Sequence, residues 1–138
     1  YRQKISGPLL DRIDIHVEVP LVDFKELSAT ELGEKSSAIR QRVAAARTIQ
    51  SERFSKNRSV NTNSAMSAKL VREHCQLDNT SSQYLEQAME SMNFSARAHD
   101  RILKVARTIA DLDSSVAIQS QHILEAIQYR SLDRKLFS

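Results

Sequence analysis

Residues 93–112, NFSARAHDRILKVARTIADL, carry the clearest periodicity in the chain. Ile102, Leu103, Val105, Ala106, Ile109, Ala110 and Leu112 recur at helical spacing and form one wide apolar face. Ser95 stands just ahead of them as an N-cap, its hydroxyl able to accept from a backbone N–H one turn on. The pattern predicts a helix opening at Ser95. Arg97, Arg101 and Lys104 follow an i, i+4, i+7 spacing and share one flank of it. Arg97 falls in the first turn, where the helix dipole disfavours a cation by up to about 1 kcal/mol. Two readings of it stand open. One is an ion pair with a nearby carboxylate such as Asp100; the other is an anion held at the helix start by free N–H groups and the guanidinium together.

The rest of the chain divides by the same criterion. Ser6, Gly7 and Pro8 predict the start of a very short helix with Leu9 and Leu10 inward. IDIHVEVP then alternates strictly, Ile13, Ile15, Val17 and Val19 against Asp14, His16 and Glu18, which predicts a strand closed by Pro20. A single strand cannot satisfy its own backbone groups. Its partners are therefore expected outside this sequence, and the chain reads as a piece of a longer protein. Left alone, the strand is expected to fray or to borrow an edge from another copy. Residues 21–33 read as a linker. A long helix is predicted over 34–54, with Ile39, Val43, Ala46, Ile49 and Phe54 buried. Residues 55–65 read as a polar loop. Short helices are predicted over 67–74, presenting Leu70 and Val71, and over 81–92, presenting Tyr84, Leu85, Ala88, Met89 and Met92. A turn at 113–115 and a last helix over 120–131, with Ile123, Leu124 and Ile127 inward, complete the chain.

Composition narrows the class. Only four of the 138 residues are Gly or Pro and none is Trp, which favours helices over a turn-rich β-sandwich. A hydrophobic content of 41% is enough for a core. The net charge of +3 is compatible with a polyanionic partner but too slight to imply one. Arg40, Arg42, Arg47 and Arg53 decorate the long helix and read first as a solvated surface. Cys75 is the single cysteine, so no intrachain disulfide forms, a reducing compartment is the natural expectation, and His74 beside it reads as incidental. No metal site, membrane span, signal peptide or glycine-rich phosphate loop is expected. Asp11, Asp14 and Glu18 do not read as a catalytic carboxylate pair.

Four phrases together resemble a known family. They are SGPLLDRIDIHVEVP at 6–20, IRQRVAAAR at 39–47, SARAHDRILKVARTIADL at 95–112 and HILEAIQYRSLDR at 122–134. They are similar to the C-terminal region of magnesium-chelatase-like AAA+ ATPases, the group that includes the ComM/YifB competence proteins. The resemblance implies a mainly α fold: a helical AAA+ lid-type bundle of about four to five helices, preceded by one strand left from an α/β core. It implies a core remnant at 1–20, a linker at 21–33 and a lid at 34–138. Walker A and B segments are absent, so this chain alone is not expected to bind or hydrolyse ATP well.

The resemblance also implies roles. Arg12 takes the place of an arginine finger, reaching ATP of the neighbouring subunit in trans, an effect worth roughly 10³–10⁵ in rate in comparable enzymes. The plain alternative pairs it with Asp11 or Asp14. Arg97 takes the place of a sensor-2 arginine touching ATP phosphate in cis. ATP and Mg2+ are the implied cofactors of the full-length protein, with none expected on this chain. A cytoplasmic homo-oligomeric ring (a hexamer), with DNA as its client and no membrane, is the implied setting. Branch migration in recombination is the implied work. Metal insertion into a tetrapyrrole, or a non-catalytic helical interaction module, are the competing functions.

Overall fold

The computed structural model describes residues 6–21, 23 and 33–130. Six α-helices form there: α1 (Gly7–Arg12), α2 (Ser36–Arg53), α3 (Ala68–His74), α4 (Asn79–Ser91), α5 (Ala96–Leu112) and α6 (Ser120–Gln128). A single 3-10 turn, Asn63–Ala65, sits between α2 and α3. The architecture is the helical bundle that the composition implies.

The bundle is built on α5. Ser95 caps it as expected, its Oγ accepting from the Ala98 N–H at 3.2 Å. Ala98, Ile102, Ala106 and Ala110, four residues apart, are all fully buried. This i, i+4 row is slim, so neighbouring helices come close. Against it pack α1, α2, the 3-10 turn, α3 and α6, while α4 packs on α6. Ile123, Ala126 and Ile127 of α6, Leu85 and Ala88 of α4, Val71 and Cys75 at α3, and Phe54, Val60 and Met66 complete the core.

Helix ends follow local chemistry. Ser67 caps α3, accepting from Leu70. The helix predicted from Ser81 instead starts at Asn79, because Asp78 accepts from the Ser81 N–H at 2.7 Å. That backbone bond also holds the Asp78 carboxyl below its ordinary pKa. With so few glycines, two other residues take left-handed turns at helix C-termini: Asn93 (φ 52°) after α4 and Ser114 (φ 54°) after α5. In both, the next N–H reaches back five residues, Phe94 to Met89 at 3.1 Å and Ser115 to Ala110 at 2.8 Å, closing orphan carbonyls.

Several expectations are corrected. Among the described residues no strand forms, and IDIHVEVP has the opposite inside: Ile13, Ile15, Val17 and Val19 are 39–80% exposed while His16 is 6% exposed. Among the described residues no neighbouring strand imposes a pleat, and the backbone follows other partners; the His16 N–H donates to the Tyr129 carbonyl. Ile39 and Val43 are exposed instead of buried, because α2 meets the core only from Ala46 onward. Leu9, Leu112 and Leu124, also read as inward, are exposed. The linker reading at 21–33 falls almost wholly outside the described residues, as does the end of the last helix beyond Arg130.

A buried polar knot holds α2, the 3-10 turn and α5 together. The Asp111 carboxylate accepts from Arg53 (2.7 and 2.8 Å), from Asn63 Nδ2 (2.9 Å) and from Arg107 Nε (3.2 Å). Gln50 accepts from the Asn63 N–H at 2.9 Å, and Arg107 donates onward to the Ser115 and Val116 carbonyls. Burial alone would raise the Asp111 pKa. The hydrogen bonds from Arg53 and Asn63 and the two guanidinium charges outweigh it and hold the carboxyl below its ordinary value.

Asp111→Ala leaves two buried guanidinium groups without their shared anion and is expected to cost about 3–5 kcal/mol in urea unfolding. Since the folded pKa lies below the unfolded one, this stabilisation is complete above an unfolded pKa of about 3.9 and is lost as pH falls through the folded value. The wild-type midpoint should therefore drop on acidification below about pH 4, with a shallower drop in Asp111→Asn.

Candidate functional site

The two arginines singled out in the sequence sit on α1 and α5. Ser6 caps α1, accepting from the Leu9 N–H at 3.2 Å, Pro8 occupies its first turn, and Leu10 is its buried anchor. Arg12 is the last residue of this helix and is exposed. Its two expected carboxylate partners are engaged elsewhere. Asp14 accepts from Arg101 Nη1 at 2.6 Å, and Asp11 lies 3.9 Å from Arg130 Nη2. Arg97 is exposed in the first turn of α5, and Asp100 is engaged with His99 Nδ1 at 3.1 Å. Among the described residues neither Arg12 nor Arg97 takes a side-chain hydrogen bond or ion pair. The plain ion-pair alternatives for both are not realised.

The Arg101–Asp14 pair fastens the two elements to each other, one turn beyond Arg97 and two residues beyond Arg12. No contact joins the two free arginines directly. Lys104, on the same flank, donates to the Ser64 carbonyl at 3.3 Å and is structural.

Arg130 is the residue that sequence reading passed over. It is fully buried past the end of α6, and its guanidinium reaches the Ile13 carbonyl at 2.8 Å and the Leu10 and Asp11 carbonyls at 3.4 and 3.5 Å. The Leu10 carbonyl also accepts from the Ile13 N–H at 3.1 Å, so Arg130 adds a charged donor to the last turn of α1 and to the residue that follows it. His16 adds a contact from its Nε2 to the Leu10 carbonyl at 3.2 Å. One guanidinium thus sets the pose of the helix that carries Arg12. Its only trace in the sequence was its place in the HILEAIQYR phrase.

Beside this junction lies an open groove of about 810 Å³ between residues 14–17 and the α5–α6 pair. Its walls are chiefly apolar, with Ile15, Val17, Val105, Ile109, Leu112 and Tyr129. Asp113 and His122 face it as a pair, Nε2 to Oδ2 at 3.0 Å, but the other ring nitrogen of His122 accepts from the Gln119 N–H at 2.9 Å. Both nitrogens are committed, so this dyad serves the start of α6 and has no free nitrogen for proton transfer. Cys75 is no nucleophile either, since burial pushes its thiol up to about 11. Among the described residues no group of three or more His, Cys, Asp or Glu side chains converges on a point. None of the helices there is long and apolar enough to cross a membrane.

Comparison with known proteins gives two family matches. Residues 33–130 match the family described as magnesium chelatase, subunit ChlI C-terminal, and residues 1–27 match magnesium chelatase, subunit ChlI. The chain is similar to YifB of Escherichia coli K12, with 42% identity over 99% of this chain and 26% of that protein. It is similar to the competence protein ComM of Haemophilus influenzae, with 39% identity over the same shares. A protein of Mycobacterium bovis is 33% identical over 94% of this chain and 25% of its own length. The chain thus spans about a quarter of the length of these relatives.

Arg130→Met removes the clamp on α1 while keeping an apolar stem. Three carbonyls then lose a charged donor, with about 1.5–3 kcal/mol expected for a hydrogen bond of this kind. Trypsin under native conditions should cut after Arg12 faster in the variant than in wild type. Equal rates would show that α1 is held by other contacts.

Proposed function

The chain belongs to the magnesium chelatase family, within its ComM/YifB-like group, and on that premise we propose that it is the helical lid, with adjoining core segment, of a ring-forming AAA+ ATPase. The observation that carries the reading is the pair of unpartnered, exposed guanidinium groups of Arg12 and Arg97, each beside carboxylates already engaged with other side chains. A cation placed against a helix dipole with no counter-ion fits a polyphosphate. The two family matches meet between residues 27 and 33, inside the segment read as a linker, which supports taking 1–20 as core and 34–138 as lid. The exposed row Ile13, Ile15, Val17 and Val19 is then the edge that the rest of the core covers.

In this reading ATP lies between a core domain and the α2–α6 lid. Bound Mg-ATP supplies the phosphoryl group that passes to water. Arg97 binds phosphate oxygens from its own subunit, at the start of α5, where free N–H groups add to its charge. Arg12 approaches from the neighbouring subunit and spreads positive charge over the oxygens as negative charge shifts in the transition state. Arg130 and the Arg101–Asp14 pair are positioning elements: they fix α1 on the lid, so a change in phosphate contact at either arginine is passed to the subunit boundary. We assign these residues the phosphate charge and no metal ligand.

The client we propose is DNA, with the motor driving branch migration in recombination in the cytoplasm as a hexameric ring. The name of the Haemophilus relative, competence protein, supports this choice over its rival. The family description, magnesium chelatase, favours a motor for metal insertion into a tetrapyrrole. DNA stimulation of ATP turnover by the longer protein separates the two.

The test uses a longer protein in which this chain is joined to its nucleotide-binding core. Arg12→Ala should lower ATP turnover by roughly 10³-fold or more, and activity should return when such subunits are mixed with subunits that keep Arg12 but cannot bind ATP. Arg97→Ala should weaken ATP binding as well as turnover. Unchanged ATPase activity in both variants would overturn the mechanism.

A further inference from the structure

We infer that the outer face of α2 and the turn that follows it form a contact surface for the sugar–phosphate backbone of duplex DNA. This deepens the DNA part of the reading above by naming the face that would meet the client. It is measured without nucleotide, so its failure and the failure of the ATPase mechanism are distinguishable.

The argument starts with charge. Residues 35–58 hold seven basic side chains against one acidic residue, Glu52, a net +6. The whole chain is +3, so the remaining residues together carry −3. Two of the seven are engaged: Arg42 is paired with Glu34, and Arg53 turns inward to Asp111. The other five, Lys35, Arg40, Arg47, Lys56 and Arg58, are exposed, with no ion pair among the described residues. Like charges collected without counter-ions raise the local potential and attract a polyanion.

Shape points the same way. α2 is an 18-residue rod, about 27 Å long. Residues 36–45 include no buried side chain, so its first half stands clear of the bundle and can be approached. Arg40 and Arg47 lie seven residues apart on one side, about 10 Å along the axis. Between them Ala44, and beyond them Thr48 and Ser51, keep the surface low enough for a bulky polymer to come near. The sole aromatic in this stretch, Phe54, is buried in the core. Binding of single strands relies on aromatic stacking platforms; this face has none, which selects the backbone of a duplex and predicts little preference for sequence.

The experiment follows fluorescence anisotropy of a labelled duplex of mixed sequence titrated with the 138-residue chain, from about 50 to 200 mM salt. With four to five phosphates neutralised, log affinity should fall with log salt at a slope of about −4. The variant Arg40→Ala/Arg47→Ala/Lys56→Ala/Arg58→Ala, checked for unchanged circular dichroism, should lose about 3 from that slope and at least tenfold in affinity at low salt. Lys69→Ala/Arg72→Ala, exposed on α3, should bind as wild type. Absence of binding at low salt, a slope unchanged in the α2 variant, or an equal loss in the α3 variant would overturn the proposal. So would tighter binding of the same face to anionic lipid vesicles or to an acidic polypeptide than to the duplex.

Discussion

A single carboxylate organises this molecule. Asp111 sits at the end of the central helix with no access to water, and it is tolerated there because two guanidinium groups and an amide converge on it. The arrangement ties three stretches distant in sequence: α2 through Arg53, the 3-10 turn through Asn63, and the α5–α6 turn through Arg107 and its two carbonyl partners. Apolar burial supplies most of the driving force for folding, but it has little directional preference. The charged knot is directional, and it fixes the angle at which α2 leaves the bundle. Arg53, the last residue of α2, turns inward to Asp111, while the first half of the helix stands clear of the core.

A second cation does comparable work at the other end. Arg130 donates to carbonyls in the last turn of α1 and just after it, and so attaches to the bundle a helix whose one buried residue is Leu10. Arg101 adds the link to Asp14. Between them these arginines take Asp11 and Asp14, and His99 takes Asp100, so Arg12 and Arg97 remain without side-chain partners. A free cation at such a junction is a consequence of how its neighbours are paired. The chemistry of the candidate site is therefore inseparable from the packing around it.

Much of this was legible in the sequence, and the reasons for the misses are physical. The Ser95 cap and the apolar face of α5 are local, periodic signals, and both appear in the structure where the sequence puts them. Short helices with Ser caps were legible for the same reason. Asp78 was missed as a cap because the apolar stripe of α4 begins several residues later. The alternation at 13–19 is a true period-two pattern, but a pleat needs a neighbour, and none is present among the described residues. Burial along α2 was misjudged because periodicity identifies a face but not how far along a helix the core extends. Arg53 read as solvated surface, and the burial of Arg107, Asp111 and Arg130 had no local signal. A buried charge is recognisable only once its partners, up to 120 residues away, are brought beside it.

The solitary thiol has a practical consequence. Cys75 packs under α3 with Val71, 4% exposed, and its sulfur stays protonated across the working range. A reporter dye or spin label attached through maleimide chemistry at an introduced surface cysteine would find no competing native sulfur to modify. Distances between the bundle and the helix that bears Arg12 could then be followed spectroscopically in an otherwise unaltered protein.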